Sequence, residues 1–276
     1  MSPLHRLLTR PLSLVSLIVL SLVVLGGLGA PWFVPFDPQR MDIVHRLLPP
    51  SAVHWLGTDD FGRDEFSRTL YGARLSVLTG VLVVLVSTVC GTLLGLFAGS
   101  IRRLDQVLMR FADALMAFPD ILLAIALMAA LGPSLLDVVL ALGTVYTPRV
   151  ARLVRGAVLV LRRQNFIEAA EALGAGELRI TAMHVLPNLV SPLLVQGTFV
   201  FAAAVLTEAA LSFLGAGIPP PTPSWGNMIA GAQQYIDRAV WLIFAPGCAI
   251  LLTVLALQVL GDALRDALDP RLRRLT

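Results

Sequence analysis

The sequence contains no lysine; all 21 of its basic residues are arginine. Without a side-chain amine there is no Schiff-base chemistry and no G-x-x-x-x-G-K-[ST] phosphate loop, so the chain does not bind ATP by that route itself. Charge of either sign is scarce. Charged residues make up 14% and hydrophobic residues 57%, whereas a soluble domain carries about 25% charged residues. That is too little polar surface to solvate a globule of 276 residues, so lipid must be part of the solvent. Reactive constellations are missing as well: there is no H-E-x-x-H and no G-x-S-x-G. The four histidines, His5, His45, His54 and His184, have no helical ligand spacing. Separate packed or solvated roles are expected for them, and no metal site. A net charge of +3 does not point to nucleic acid. The two cysteines, Cys90 and Cys248, lie in apolar runs and are expected as small core residues, not as a disulfide.

What the chain has is apolar length. The runs Leu12–Ala30, Leu75–Gly99, Met109–Leu131, Leu189–Leu214 and Val240–Leu260 are long enough, or nearly so, to cross about 30 Å of hydrocarbon. A sixth, Leu135–Val160, is interrupted by Arg149, Arg152 and Arg155, which recur along one side of a helix expected to leave the membrane while still helical. Six spans place both termini on one side. With that side cytoplasmic, fifteen arginines lie inside and six outside (Arg40, Arg46, Arg63, Arg68, Arg74 and Arg238), as the positive-inside rule requires. The inside set includes Arg6 and Arg10 at one terminus and Arg265, Arg271, Arg273 and Arg274 at the other. The first run is longer than a signal-peptide core and Pro31 follows Ala30, so an uncleaved anchor is expected.

Two outer segments are too long for turns: Pro31–Arg74, and Gly215–Arg238 with its Pro219-Pro220-Pro221 and Trp225. Residues 1–74 are therefore expected as an anchor helix with its outer loop, and residues 75–276 as a five-helix core with an outer cap over about 215–238. Ionisable groups in the spans are costly in hydrocarbon. Asp120 and Glu208 are candidates to line a polar pathway, the alternative being helix–helix hydrogen bonding. Asp113, near the inner boundary, is expected to do the latter. Trp225 is either a contact at an outer gate or an interfacial anchor.

The most informative cytoplasmic segment is Asn165-Phe166-Ile167-Glu168-Ala169-Ala170-Glu171-Ala172-Leu173-Gly174. Asn165 and Glu168 form an N-x-x-E pattern that predicts a capping box, and Gly174 suits the left-handed position that ends a helix. Phe166, Ile167, Ala170 and Leu173 make a short apolar stripe. Two turns of helix are marginal alone, so the segment is either a docking helix held by another protein or a connector lying on the membrane.

Glu168-Ala169-Ala170, Gly174, and then Leu186-Pro187 resemble the EAA loop (here about 165–188) of ATP-binding-cassette importer permeases. The stretches His54-Trp55-Leu56-Gly57-Thr58-Asp59, Gly62-Arg63-Asp64, Leu211-Ser212-Phe213-Leu214-Gly215, Pro223-Ser224-Trp225-Gly226 and Leu268-Asp269-Pro270 are similar to the dipeptide, oligopeptide and nickel branch, C-type subunit. His184 stands where the general pattern has an apolar residue, and Gln258 where Asn is common. The resemblance implies an all-α integral membrane protein with six transmembrane helices and the type I importer permease fold. Phe166, Glu168, Ala169, Ala170, Gly174, Leu186 and Pro187 would couple it to ATPase subunits. It also implies a homologous B-type permease partner, two ATPase subunits that carry the ATP and Mg, and an extracytoplasmic substrate-binding protein in a bacterial inner membrane. No catalytic residue and no cofactor is assigned to this chain. Peptides are the implied cargo, with nickel complexes or glutathione as alternatives. An autonomous channel or secondary transporter, and a membrane enzyme, are the rival classes.

Overall fold

The computed structural model describes residues 10–268; His5, Arg6, Asp269, Pro270, Arg271, Arg273 and Arg274 lie outside the described residues. Among those described, the chain is helical with no strand. The helices are α1 (Pro11–Phe33), α2 (Glu65–Ser100), α3 (Arg102–Met116), α4 (Asp120–Leu131), α5 (Leu135–Leu161), α6 (Asn165–Ala172), α7 (Glu177–Phe213), α8 (Trp225–Ala232) and α9 (Trp241–Leu268). A wide π turn over Thr181–Val185 lies within α7.

Among the described residues, α1, α2, α7 and α9 are both long and apolar enough to cross a membrane, with α3 and α4 adding a fifth span if counted together. By apolar length alone, four or five of the expected six spans are recognised, and one of them departs from its expected form. The run Met109–Leu131 is not one helix, because α3 and α4 meet at a 96° elbow. Pro119 explains the break: its ring disfavours a helical Phe118, and it has no N–H for the preceding turn. α5, the expected sixth run, has 27 residues, and the three arginines expected to interrupt it, Arg149, Arg152 and Arg155, lie along its second half.

The centre of the bundle is the packing of α2 on α5. Gly91, Gly95 and Gly99 recur every fourth residue on α2 and face Val150, Val154 and Val158, which recur every fourth residue on α5. A Cβ on Gly91 would lie 2.5 Å from Val150 Cβ, and one on Gly95 2.6 Å from Val154 Cβ. Small residues facing β-branched ones let two backbones approach closely, which drives helix association where lipid removes the hydrophobic contrast. The core spreads from this seam through Val138, Leu142, Tyr146, Leu189 and Leu211. Outside it, apolar side chains such as Leu22, Leu25, Leu85 and Phe244 are exposed, as lipid-facing positions are. Cys90 and Cys248 are exposed and free, contrary to the expectation of core positions. In a membrane chain an apolar neighbourhood does not imply burial, because lipid serves as well as protein.

Candidate functional site

Three places on this framework hold the residues singled out in the sequence. The first is the handle formed by α6 and the start of α7, at the Ser100 end of α2. Ile167 is fully buried and joins a cluster with Ile180, Val185 and Leu189. Beyond that anchor the handle stands clear of the body. Glu168, Ala169, Gly174, Leu186 and Pro187 are exposed, Ala170 is half-buried, and Leu173 and Leu178 are 89% and 88% exposed. The short apolar stripe of Phe166, Ile167, Ala170 and Leu173 is therefore split. Ile167 faces the body, while Leu173 faces away and Phe166, 45% exposed, lies 6.2 Å from the His184 ring.

The ends of α6 show which sequence signals held. Gly174 has φ +83°, its N–H donates to Glu171 O at 2.9 Å, and Ala175 N–H donates to Ala170 O at 3.0 Å. This is a Schellman ending that only a residue tolerant of left-handed backbone enters freely. The expected capping box is absent. Asn165 is the first helical residue, Gln164 takes the cap position, and no side chain caps the helix. Propensity located the helix start to within one residue but misassigned its first hydrogen bonds.

Arg162 closes the handle. Its guanidinium donates to Glu177 at 2.6 and 3.1 Å and to Ser100 Oγ at 3.0 Å, tying both sides of α6 to the end of α2. In the sequence Arg162 is only one of the inside arginines, since a partner 15 positions away has no local signature.

The second place is at the opposite, Glu65 end of α2. Asp59 accepts from the backbone N–H groups of Phe61 (2.9 Å) and Arg63 (2.8 Å) and from Arg63 Nε (2.6 Å). Asp64 caps α2 by accepting from Ser67 N–H (2.8 Å), and its other oxygen meets His54 Nδ1 at 2.9 Å. Arg68 donates to Pro38 O and lies 3.4 Å from Asp59. Asp59, Arg63, Asp64, Glu65 and Arg68 are all buried. Beside them, burial and the Asp59 charge raise the pKa of Asp60. At the exposed edge, a hydrogen bond from His45 lowers that of Asp42. His45 and His54 thus pair with different carboxylates.

The cap helix α8 sits on this knot. Trp225 is buried, and its Nε1–H donates to Thr69 O at 3.0 Å. Ser224 and Asn227 form a reciprocal capping box, the device expected for α6. Gly226 lets α8 close on α7, since a Cβ there would lie 2.6 Å from Ala209 Cα. Glu208 is buried beneath, accepting from Ser212 Oγ at 2.8 Å. In this conformation Trp225 holds the cap to the bundle, Glu208 bonds Ser212 of its own helix, and both side chains are buried.

Asp120 occupies a third place. It begins α4 at the elbow and accepts twice from Arg149 of α5, at 2.7 and 2.9 Å. Two further pairs follow, Asp113 with Arg152 and Asp105 with Arg155. The arginine spacing was legible in the sequence; the aspartate partners were not, because the elbow that delivers them was not foreseen.

Comparison with known proteins places this geometry. Residues 91–274 match the family described as binding-protein-dependent transport system inner membrane component. Residues 4–50 match the N-terminal TM domain of oligopeptide transport permease C. The chain is 46% identical over 264 residues to the di/tripeptide transport system permease protein DppC of Pseudomonas aeruginosa, covering 93% of this chain and 87% of that one. It is 44% identical over 269 residues to the dipeptide transport system permease protein DppC of Alkalihalophilus pseudofirmus, covering 97% and 88%. In fold it is similar to a chain of the MetNI methionine ABC transporter in an inward-facing form, with a TM-score of 0.61 at 18% identity, covering 75% of this chain and 96% of that one.

Proposed function

The chain belongs to the family of inner-membrane components of binding-protein-dependent transport systems, and from that premise we propose that it is one of two permease subunits of an ATP-driven peptide importer. Short peptides as cargo rest on the two DppC relatives, which match nearly the whole chain. The observation that carries the mechanism is the handle. An eight-residue helix is marginal by itself, yet the handle it belongs to projects Leu173, its C-cap residue, and Leu178, at the start of α7, from the body with little of the chain covering them. Exposed apolar residues on a short, alanine-thinned helix suit insertion into a groove of an ATPase subunit.

In this reading both termini and the handle are cytoplasmic, and the knot around Asp59 with α8 faces outward. A second, B-type permease completes the pathway. Two ATPase subunits bind ATP and Mg, supplying the phosphate-loop lysines that this chain lacks, and an extracytoplasmic binding protein delivers the peptide. ATP binding closes the ATPases, which displaces α6. Ile167 and the Arg162–Glu177 pair transmit that displacement to α5, α7 and the end of α2, so the spans rock between two arrangements. The knot and the buried cap give the outer end rigid surfaces to move.

Glu168→Lys and Gly174→Asp test this. In proteoliposomes holding the complete transporter, each is expected to abolish binding-protein-stimulated ATP hydrolysis while the subunit remains inserted. Stimulation unchanged from wild type would contradict the assignment.

A further inference from the structure

Three acid–base pairs join the elbow to one side of α5: Asp120–Arg149, Asp113–Arg152 and Asp105–Arg155. The arginines are three residues apart, so successive rungs are separated by about 4.5 Å along the helix axis. Tyr146 seats the first rung: its ring lies 5.6 Å from the Arg149 guanidinium, and its hydroxyl hydrogen-bonds Thr207 at 2.8 Å.

The depth of the first rung is unusual for a charge pair. From Asp120 to Leu131, α4 rises about 18 Å, and from Leu135 to Arg149, α5 covers about 21 Å. With the turn that joins them at the outer boundary, as the proposed orientation places it, both groups fall within the roughly 30 Å of hydrocarbon. They are nevertheless 34% and 42% exposed on this chain, and Asp113 and Arg152 more so. A half-exposed ion pair at that depth is expensive against lipid, and such groups face a bundle interior or water.

We propose that these pairs line the inner half of the translocation pathway and form a ladder for the charged ends of a zwitterionic peptide; the proposal rests on the peptide-permease reading above. The peptide carboxylate takes the place of aspartate on an arginine, and its ammonium takes the place of arginine on an aspartate. Each exchange breaks one ion pair and makes two, then reverses as the peptide moves one rung on. The ladder carries three charges of each sign, so neither end of the peptide is trapped. Sites that admit a ligand yet release it are what conduction requires. A bare cation would find each aspartate already neutralised, so the ladder favours a zwitterion.

The test uses the complete transporter with its binding protein in proteoliposomes, and a labelled mixture of di- and tripeptides as probe. The variant Asp120→Asn with Arg149→Gln removes both charges and leaves neither unpaired. Uptake is expected to fall about tenfold or more, the scale of one lost charge-assisted hydrogen bond, with assembly and binding-protein-stimulated ATP hydrolysis retained. Uptake within about twofold of wild type would reduce the pair to a helix clamp and overturn the proposal. A second measurement holds if that variant fails to assemble. In a Cys90→Ala, Cys248→Ala background, Arg152→Cys should react with a charged, membrane-impermeant methanethiosulfonate, and peptide should slow the reaction. No reaction in the assembled complex would mean that lipid or the partner permease covers the ladder, and would overturn it. Failure of the wild-type complex to take up peptide would sink the peptide reading instead, while labelling would still decide whether the rungs face water.

Discussion

Arg162 grips Glu177 through two guanidinium nitrogens, at 2.6 and 3.1 Å, and thereby closes α6 into a handle at the end of α2. Glu177 is largely exposed, and exposed ion pairs contribute only about 0–1 kcal/mol to stability. The pair therefore acts mainly by keeping the handle in one orientation. Arg162→Ala is expected to leave the thermal midpoint of the purified subunit nearly unchanged. In the reconstituted transporter it should reduce peptide uptake per ATP hydrolysed. A large drop in thermal stability with intact coupling would contradict that division.

The α2–α5 seam sets a different kind of limit. Gly95→Leu would drive a branched side chain into Val154 and the backbone of Ala151, and overpacking of this kind costs on the order of 1–3 kcal/mol or more. A lower melting temperature in detergent is expected, and Val154→Ala in the same chain should recover part of it. Additive losses in the double variant would mean that the two residues do not meet.

The cap should respond in steps. Trp225→Phe keeps most of the buried ring but removes the hydrogen bond to Thr69 O, a loss of about 1 kcal/mol. Trp225→Ala also empties the site and should cost about 3–5 kcal/mol. Chemical denaturation of the detergent-solubilised subunit can separate the two. Equal effects would show that the indole does not anchor α8.

Asp64 ties the first turn of α2, through the N–H and hydroxyl of Ser67, to His54 of the outer loop. Asp64→Ala removes a helix cap, worth about 0.5–2 kcal/mol alone, and leaves His54 without its carboxylate. Protease cleavage within residues 37–64 of the membrane-embedded protein should accelerate. Cleavage at the wild-type rate would show that the knot does not depend on Asp64.

These elements differ in how far the sequence disclosed them. Gly174 was readable because one residue type suits one backbone angle. The apolar runs were readable because hydrocarbon thickness sets their length, and α1, α2, α7 and α9 follow them. The elbow at Pro119 was not: hydropathy is blind to direction, so a run that turns through 96° scores like a straight one. Cys90 and Cys248 went astray for a related reason, since apolar surroundings do not distinguish core from lipid. Arg162–Glu177 and the aspartates opposite Arg149, Arg152 and Arg155 pair across long separations, which periodicity does not report. The Gly91, Gly95, Gly99 repeat was present in the sequence as small residues at every fourth position, and that spacing is the signal that could have located the α2–α5 seam.

The central claim is that α6 and the start of α7 dock on an ATPase subunit, and Leu173 is the place to test it. A photoreactive benzoylphenylalanine at position 173, illuminated in the assembled transporter, is expected to form its main adduct with an ATPase subunit. The yield should change between the ATP-bound and nucleotide-free states. Adducts confined to lipid, or to the other permease, would contradict the docking of this helix and the coupling derived from it.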